Sequence, residues 1–400
     1  MQNIRATIDI GNAYIKWIVI GYDDEHKDTI LVKECHKMQW CRKWKILDSQ
    51  SFRDSIDKVI DGFQKKLWWE YIEDVIIGIS HPEMIVERVT EQKRILGSDI
   101  ITSNDVNHLS KLINDMSHKA NYEIIKILPV YRSLDDSRTE KNPEWLQAKK
   151  LSLTADIFCI PKIFYQTLTE TLQSLGIHVI DIVPNIIASV EWMVDIDHKD
   201  LGTVIVDMGA NQTSYAIYEE WYPLYYGVIP AWGEDVTKDI SIWLQIDIKE
   251  AEKYKTWAKD DVTTNEDSAL DERFLDEVMN ARYEQIYEKV RDTLIRIDRD
   301  GKLPGGIYLT GQSSERYKSI PLMKNICKLA TFDAKDISGN FGEVWSNKAY
   351  QNCLGLYRRS KKYHNQKSLF GGSLWSWFRS VGNRWSGIRS SIKWTFKDLF

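Results

Sequence analysis

Val204–Tyr218 reads VIVDMGANQTSYAIY. An apolar run ends on a carboxylate, Asp207. A small turn of Gly209, Ala210, Asn211 and Gln212 follows, and from Thr213 a second strand-like run sets off. The pattern predicts two antiparallel strands joined by a tight turn. A carboxylate at the end of a buried strand needs a partner. Ala6–Tyr22, ATIDIGNAYIKWIVIGY, has the same plan: a strand ends on Asp9, Gly11, Asn12 and Ala13 make the bend, and a strand resumes through Lys16. In both copies a glycine stands two residues after the aspartate. Lacking Cβ, it lets turn N–H groups approach phosphate oxygens. An aspartate beside phosphates repels them unless a hard cation intervenes, so Asp9 and Asp207 read as holders of Mg²⁺ through its waters. Two such hairpins facing each other would clamp a nucleoside triphosphate. A third element, Gly305–Glu315 (GGIYLTGQSSE), is a short strand and then Gly311, Gln312 and Ser313 opening a helix. A helix start of small residues can receive a base or a phosphate. Each of the three is a common local pattern, and ordinary hairpins with Asp-X-Gly turns remain the plain alternative.

Four hundred residues, 43% hydrophobic and 28% charged, fit a globular protein of two or three domains. The N-terminal MQNIRATIDI lacks a basic region followed by a long apolar stretch, and no uncharged apolar run is long enough to span a membrane. Five scattered cysteines without zinc-site spacing read as reduced thiols of a cytoplasmic protein. The net charge of −5 is unevenly spread. Residues 358–400 carry ten Lys/Arg and one acid, Asp398, which leaves the first 357 residues at −14. A basic end on an acidic body points to an anionic partner for that end alone. No feature points to nucleic acid.

The ordered set DIGNAYIK, VDMGANQTSYAIY, VIPAWGEDVTKDI, AEKYKTWA and YLTGQSS resembles the actin and heat-shock ATPase superfamily. Within it, GISHPEM, EKNPEWLQAKKLSLTADIFCI and an amphipathic C-terminus after a polar linker resemble the FtsA family of bacterial cell division proteins. The resemblance implies an actin-like ATPase fold of class α/β: two duplicated RNase H-like domains, an FtsA-type 1C insert and a C-terminal amphipathic helix. It implies subdomain 1A in 1–82 and 161–200, 1C in 83–160, 2A in 201–240 and 301–340, and 2B in 241–300. Residues 341–357 would return to 1A, 358–372 would be a linker, and 373–400 would be the membrane helix. It implies binding of ATP and Mg²⁺. Asp9, Gly11, Asn12, Ala13 and Lys16 would form the first phosphate loop, and Asp207, Gly209, Ala210, Asn211, Gln212 and Thr213 the second. Gly233 would lie near the phosphates, Glu252 and Lys255 on the adenosine-contacting helix, and Gly311, Gln312 and Ser313 in the adenosine loop. It also implies self-association into filaments with contacts on 1C, capture of the FtsZ C-terminal peptide by 2B, other division proteins as partners, and a peripheral place on the cytoplasmic side of the membrane at the division site.

The chain departs from the family pattern in three places. The second loop lacks the usual run of glycines and Thr, Gln312 replaces the second glycine of the adenosine loop, and Val183 stands before Pro184 where some superfamily ATPases have a water-positioning Glu. The expectation is nucleotide binding with slow or undetectable turnover. Glu252 and Lys255 also fit a solvated helix face. Two other readings stay open: a PilM-like pilus-assembly adaptor, which would dispense with a lipid-binding tail, and a sugar or acetate kinase, which would need a catalytic Asp in the cleft.

Ser373–Phe400 places Leu374, Phe378, Val381, Trp385, Ile388, Ile392, Phe396 and Leu399 on one helical stripe, with Arg379, Arg384, Arg389, Lys393 and Lys397 off it. Trp375, Phe378, Trp385, Ile388, Ile392 and Phe396 with Arg379 and Lys393 suit an anionic lipid surface; a helix docked on its own body, or a coiled-coil seam, is the alternative. Tryptophan is abundant, 16 against 11 Phe, and Trp17, Trp44, Trp145, Trp221, Trp232 and Trp257 stand where the fold or family favours glycine. UGA is tryptophan in one genetic code and glycine in another, so some of these six read as glycines of the native protein; drift to tryptophan is the alternative.

Overall fold

The computed structural model describes residues 3–22, 28–37, 41–42, 45–46, 49–66, 74–116, 120–140, 142–230, 233–257, 268–314, 319–333 and 348–369. The amphipathic stripe of 373–400, Trp44 and Trp232 lie outside these residues. The chain opens with β1 (Asn3–Ile10), β2 (Tyr14–Tyr22) and β3 (Thr29–Lys37). A two-stranded clip, β4 (Cys41–Arg42) and β5 (Lys45–Ile46), precedes α1 (Ser49–Lys66) and β6 (Asp74–Ile79). Next come β7 (Ile85–Arg94), α2 (Ser103–Asn114), β8 (Tyr122–Leu134), β9 (Arg138–Glu140) and β10 (Lys150–Pro161). Then follow α3 (Lys162–Ser174), β11 (His178–Pro184), α4 (Asn185–Met193) and α5 (Ile196–Leu201). The second half holds β12 (Thr203–Met208), β13 (Thr213–Glu219), β14 (Tyr222–Ile229), α6 (Gly233–Leu244), α7 (Ile248–Trp257) and α8 (Ser268–Arg296). It ends with β15 (Ile307–Thr310), α9 (Ser319–Cys327), β16 (Thr331–Asp333) and α10 (Gln351–Leu369).

One sheet plan occurs twice. The first sheet has the order β11-β6-β1-β2-β3 and the second β14-β13-β12-β15-β16. In each, three consecutive strands form an antiparallel meander, and two later strands add in parallel on the other side of the first. Parallel additions need crossovers through helices. The central strands are buried on both faces, which is why β2 and β12 read as near-continuous apolar runs rather than alternating ones. In the second sheet α8 supplies Tyr283, Ile286, Tyr287, Val290 and Leu294 at helical spacing against Val204, Val206, Ile307 and Leu309. A satellite core of Val236, Ile240, Ala251, Leu275 and Met279 joins α6, α7 and α8.

Both sheets belong to one compact unit, Met1–Val86, Asn121–Glu123 and Cys159–Ser360. The other unit comprises Glu87–Ala120, Ile124–Phe158 and Lys361–Phe400. Its sheet has the order β7-β10-β8-β9. Inside it Arg88 grips buried Asp156 through two hydrogen bonds of 2.7 and 2.8 Å. Thr102 is the N-cap of α2. Asp105 fixes it there: its carboxylate accepts both the Thr102 backbone N–H at 2.9 Å and its hydroxyl at 2.5 Å. A difference from the sequence pattern concerns 358–372, which reads as a tether: α10 runs through it to Leu369. The stretch Arg358–Leu369 contains neither Pro nor Gly, so nothing in it breaks a helix.

Two tryptophans have backbones of the left-handed kind. Trp145 has φ 70° and Trp221 φ 74°, and both are exposed. Trp221 follows Glu220 at φ 47° in the two-residue turn from β13 to β14, a turn that requires positive φ at both positions. Trp17, by contrast, lies fully buried in β2. Trp257 ends α7.

Candidate nucleotide site

The site forms where the two meanders turn. The β1–β2 bend closes with Gly11 N–H donating to Tyr14 O at 3.1 Å, and the β12–β13 bend with Gly209 N–H donating to Gln212 O at 2.9 Å. The same step separates donor and acceptor in both, so the two loops are local copies as well as topological ones. Asp9 lies directly across from Lys16, and Asp207 from Ser214. Both aspartates are buried, at 1% and 8% exposure.

Burial of two carboxylates has to be offset by donors. Asp9 receives Asn185 Nδ2 on Oδ1 at 2.7 Å and Lys16 Nζ on Oδ2 at 3.4 Å. Asp207 Oδ2 receives the Ser189 hydroxyl at 3.2 Å. Asn352 Nδ2 reaches both, Asp9 Oδ2 at 3.5 Å and Asp207 Oδ2 at 3.3 Å. Burial first, and then the charge of Asp9, pushes the Asp207 carboxyl above the ordinary carboxylate range. Burial alone would lower the Lys16 ammonium, yet the charges led by Asp9 take it above its ordinary value. Lys16 is therefore a fixed cation beside two carboxylates whose mutual repulsion one lysine only partly relieves.

The loop side chains carry orphaned polar atoms. The amide nitrogen and oxygen of Asn12 and of Asn211, and the hydroxyl of Thr213, are buried without a hydrogen-bond partner. Buried polar groups are ordinarily satisfied, so these atoms, on the two turns beside the aspartates, fit a polar ligand such as phosphate. A cation also fits. Among the described residues no group of three or more His, Cys, Asp or Glu could cage a metal. Two carboxylates, completed by waters and phosphate oxygens, are a donor set that Mg²⁺ uses. Ala13 and Ala210 are half-buried members of the same turns.

Gly311, Gln312 and Ser313 lie beside the second loop. Gly311 has φ 83°, and a Cβ there would meet Met208 O at 2.4 Å and Asp207 Oδ1 at 2.7 Å, so only glycine fits. The Ser313 hydroxyl donates to Gly209 O at 3.1 Å, and Tyr283 holds Ser313 O at 2.7 Å. Gln312 opens the single turn Gln312–Ser314. Glu252 and Lys255 are engaged with α6: Thr237 donates to Glu252 Oε2 at 2.6 Å, and Lys255 Nζ lies 2.6 Å from that oxygen and 2.8 Å from Thr237 Oγ1. Gly233 starts the same helix, one turn before Thr237.

Comparison with known proteins bears on the family and the fold. The family model described as "Cell division protein FtsA" matches residues 204–368. The Cell division protein FtsA of Buchnera aphidicola subsp. Baizongia pistaciae is 30% identical over 318 residues, covering 71% of this chain and 74% of that relative. The chain belongs to the FtsA family. The FtsA of Enterococcus hirae is 27% identical over 335 residues, 80% of this chain and 75% of its own. Solved structures show the actin-like fold. The PilM–PilN type IV pilus biogenesis complex superposes with a TM-score of 0.64 at 12% identity, over 89% of this chain and 98% of that one. MreB5 of Spiroplasma citri bound to ADP gives 0.52 at 11%, over 92% and 99%. This FtsA-family chain is thus an actin-like cell division protein.

Four residues at the centre escape a reading of local motifs. Asn185 and Ser189 lie four apart on α4, directly after Pro184, so helical spacing offers a faint signal once that helix is seen to abut the turns. Asn352 and Gln351, which accepts the Thr310 hydroxyl, sit at the start of α10 with no neighbouring motif. Lys348, just before them, is fully buried and donates to Ser314 Oγ at 2.9 Å.

Proposed function

We propose that this protein binds ATP with Mg²⁺ between its two hairpin turns and acts at the division site as a filament-forming tether. In this reading it holds FtsZ, through the FtsZ C-terminal peptide, to the cytoplasmic face of the membrane. The observation that carries the nucleotide part is the pair of buried aspartates at duplicated turns whose loop amides lack partners. The fold neighbour MreB5 was solved with ADP, which supports the same ligand class. Asp9 and Asp207 would hold Mg²⁺ through waters, and the ion would offset the charge of the phosphates. Lys16 would neutralise phosphate charge, and the Gly11–Ala13 and Gly209–Thr213 turns would cradle it. Gly311–Ser313 and the Gly233 helix start would face the nucleoside, with Glu252 and Lys255 at its ribose. Val183, a buried apolar residue, stands where the resemblance would put a water-positioning Glu, so turnover would be slow or undetectable. The domain reading follows the duplication. The first sheet would be 1A, the second 2A, the α6–α8 bundle 2B, and the unit built on β7-β10-β8-β9 would be 1C with filament contacts.

The membrane part rests on the basic amphipathic pattern of 373–400 and on the family. Among the described residues no helix is long and apolar enough to cross a membrane. A pilus adaptor shares the fold, but the FtsA relatives favour division over that reading. Asp207→Ala tests the site. It should weaken Mg–ATP binding a hundredfold or more, read by a fluorescent ATP analogue, while circular dichroism stays unchanged. Wild-type affinity in the variant would remove the site from the second loop.

A further inference from the structure

The residue that reaches both carboxylates comes from neither loop. Asn352 is the second residue of α10 and lies 343 residues from Asp9 and 145 from Asp207 in the chain. Asp9 belongs to the first sheet and Asp207 to the second, so a side chain that bonds to both sets the distance between the two halves of a magnesium site. The amide is suited to this task. A carboxylate only accepts, so the Asn352 amide must present nitrogen to both acids, and its two N–H bonds serve one each. Its oxygen then faces away and takes the Ser189 hydroxyl at 2.6 Å, which fixes the orientation. Ser189 is also 3.2 Å from Asp207 Oδ2, but its single hydrogen serves one acceptor at a time.

The helix bearing Asn352 is anchored tightly. Gly355 crosses α4 so closely that a Cβ would meet Ala188 O at 1.9 Å. The Thr7 hydroxyl donates to Cys353 O at 3.1 Å, and the Cys353 thiol to Lys16 O at 3.4 Å. Lys348 and Gln351 hold the adjacent loop from the same turn. The start of α10 is therefore a fixed platform that touches β1, β2, α4, β12 and the Gly311 loop.

We propose that Asn352 is a positioning residue of the magnesium site: its amide aligns Asp9 with Asp207 and so sets the affinity of the pair for a divalent cation. The inference rests on the magnesium–nucleotide reading given above and names the residue that reading lacks.

The test uses the full chain and two variants. Asn352→Leu keeps the number of side-chain heavy atoms and the branch at Cγ, and removes both donors. It should raise the Mg²⁺ concentration for half-maximal binding of a fluorescent ATP analogue about tenfold, while analogue affinity in EDTA stays within about twofold. A merely structural role would lower both alike. Asn352→Asp places a third carboxylate beside two. It should melt lower than wild type in EDTA and regain the difference in millimolar Mg²⁺ or Ca²⁺, with no nucleotide present, whereas wild type shifts little. A wild-type magnesium requirement in the Leu variant, or melting of the Asp variant that cations leave unchanged, overturns the inference. If the Leu variant fails to fold, the Asp variant decides. If wild type binds no nucleotide at all, the functional reading falls, and the cation-dependent melting still judges Asn352.

Discussion

At the scale of single residues, two kinds of side chain are held under conditions that a change of pH or of identity would reveal. His81 is buried at the turn after β6, accepts the Glu83 N–H on Nδ1 at 3.1 Å and packs on Phe164. Burial lowers its pKa from 6.5 to about 4. The unfolded chain thus takes up a proton between these values that the folded chain refuses. The contribution is fully present above pH 6.5 and is lost progressively as pH falls toward about 4. The loss should be on the order of 3 kcal/mol. Asn at this position still offers an acceptor to Glu83 N–H. Urea melts of His81→Asn should be flatter than wild type across that window; an unchanged acid limb would show that His81 does not carry it. The tryptophans are the other case. A left-handed backbone costs a bulky residue about 1–2 kcal/mol and glycine nothing. Trp145 and Trp221 adopt it while exposing their rings, and Trp145 is 78% exposed. Trp17 fills the core, where glycine would leave a cavity. The gene should therefore carry UGA at codons 145 and 221 and UGG at 17. Protein from its own host should weigh less by one Trp-to-Gly difference at each UGA, and intact mass reads this directly. UGG at both codons would mean that the strain is real, and then Trp145→Gly and Trp221→Gly should each stabilise.

At the scale of elements, the hairpins were legible because two short-range signals coincide, an apolar strand and an Asp-x-Gly bend, and both lie within a dozen residues. The partners of those aspartates were not. Asn185, Ser189 and Asn352 meet them only through tertiary packing, and an isolated Asn in a helix carries no mark of its partner. Glu252 and Lys255 show the intermediate case. Their spacing on a helix is readable, but Thr237, which binds them both, belongs to another helix. The α4–α10 crossing is where this hidden layer can be tested. Gly355 allows α10 to lie against Ala188, and Leu354 and Leu356 are buried on either side of it. Gly355→Val would force the helices apart by the width of a methyl pair and carry Asn352 with them. Overpacking at a rigid crossing costs about 1–3 kcal/mol or more. The expected result is a lower urea midpoint together with weaker magnesium-dependent nucleotide binding. Gly355→Ala should show both effects more mildly. A variant that melts lower yet binds Mg–ATP as wild type would separate the crossing from the site.

At the scale of the molecule, the duplicated sheets account for one half of the sequence pattern, and the charge distribution concerns the other. The first 357 residues carry −14 and the last 43 carry +9. An acidic body is repelled by an anionic surface, so any attraction must come from the basic end. Each base near such a surface contributes about 1 kcal/mol, and five of them, Arg379, Arg384, Arg389, Lys393 and Lys397, alternate with the apolar stripe of 373–400. In the tether reading proposed above, that sum, with Trp and Phe at headgroup depth, would give reversible rather than permanent attachment. The attachment would also be sensitive to salt, because the screening length shrinks from about 10 Å at 0.1 M to about 3 Å at 1 M. The full chain should co-sediment with vesicles containing anionic lipid, far less with neutral vesicles, and should be released as salt rises. A chain ending at residue 372 should stay in the supernatant under all three conditions while keeping its Mg–ATP affinity, since the described site lies wholly before that point. If both chains sediment equally, the surface that meets lipid is on the body, against its charge. If the full chain sediments with neutral and anionic vesicles alike, the stripe and not the bases supplies the attachment.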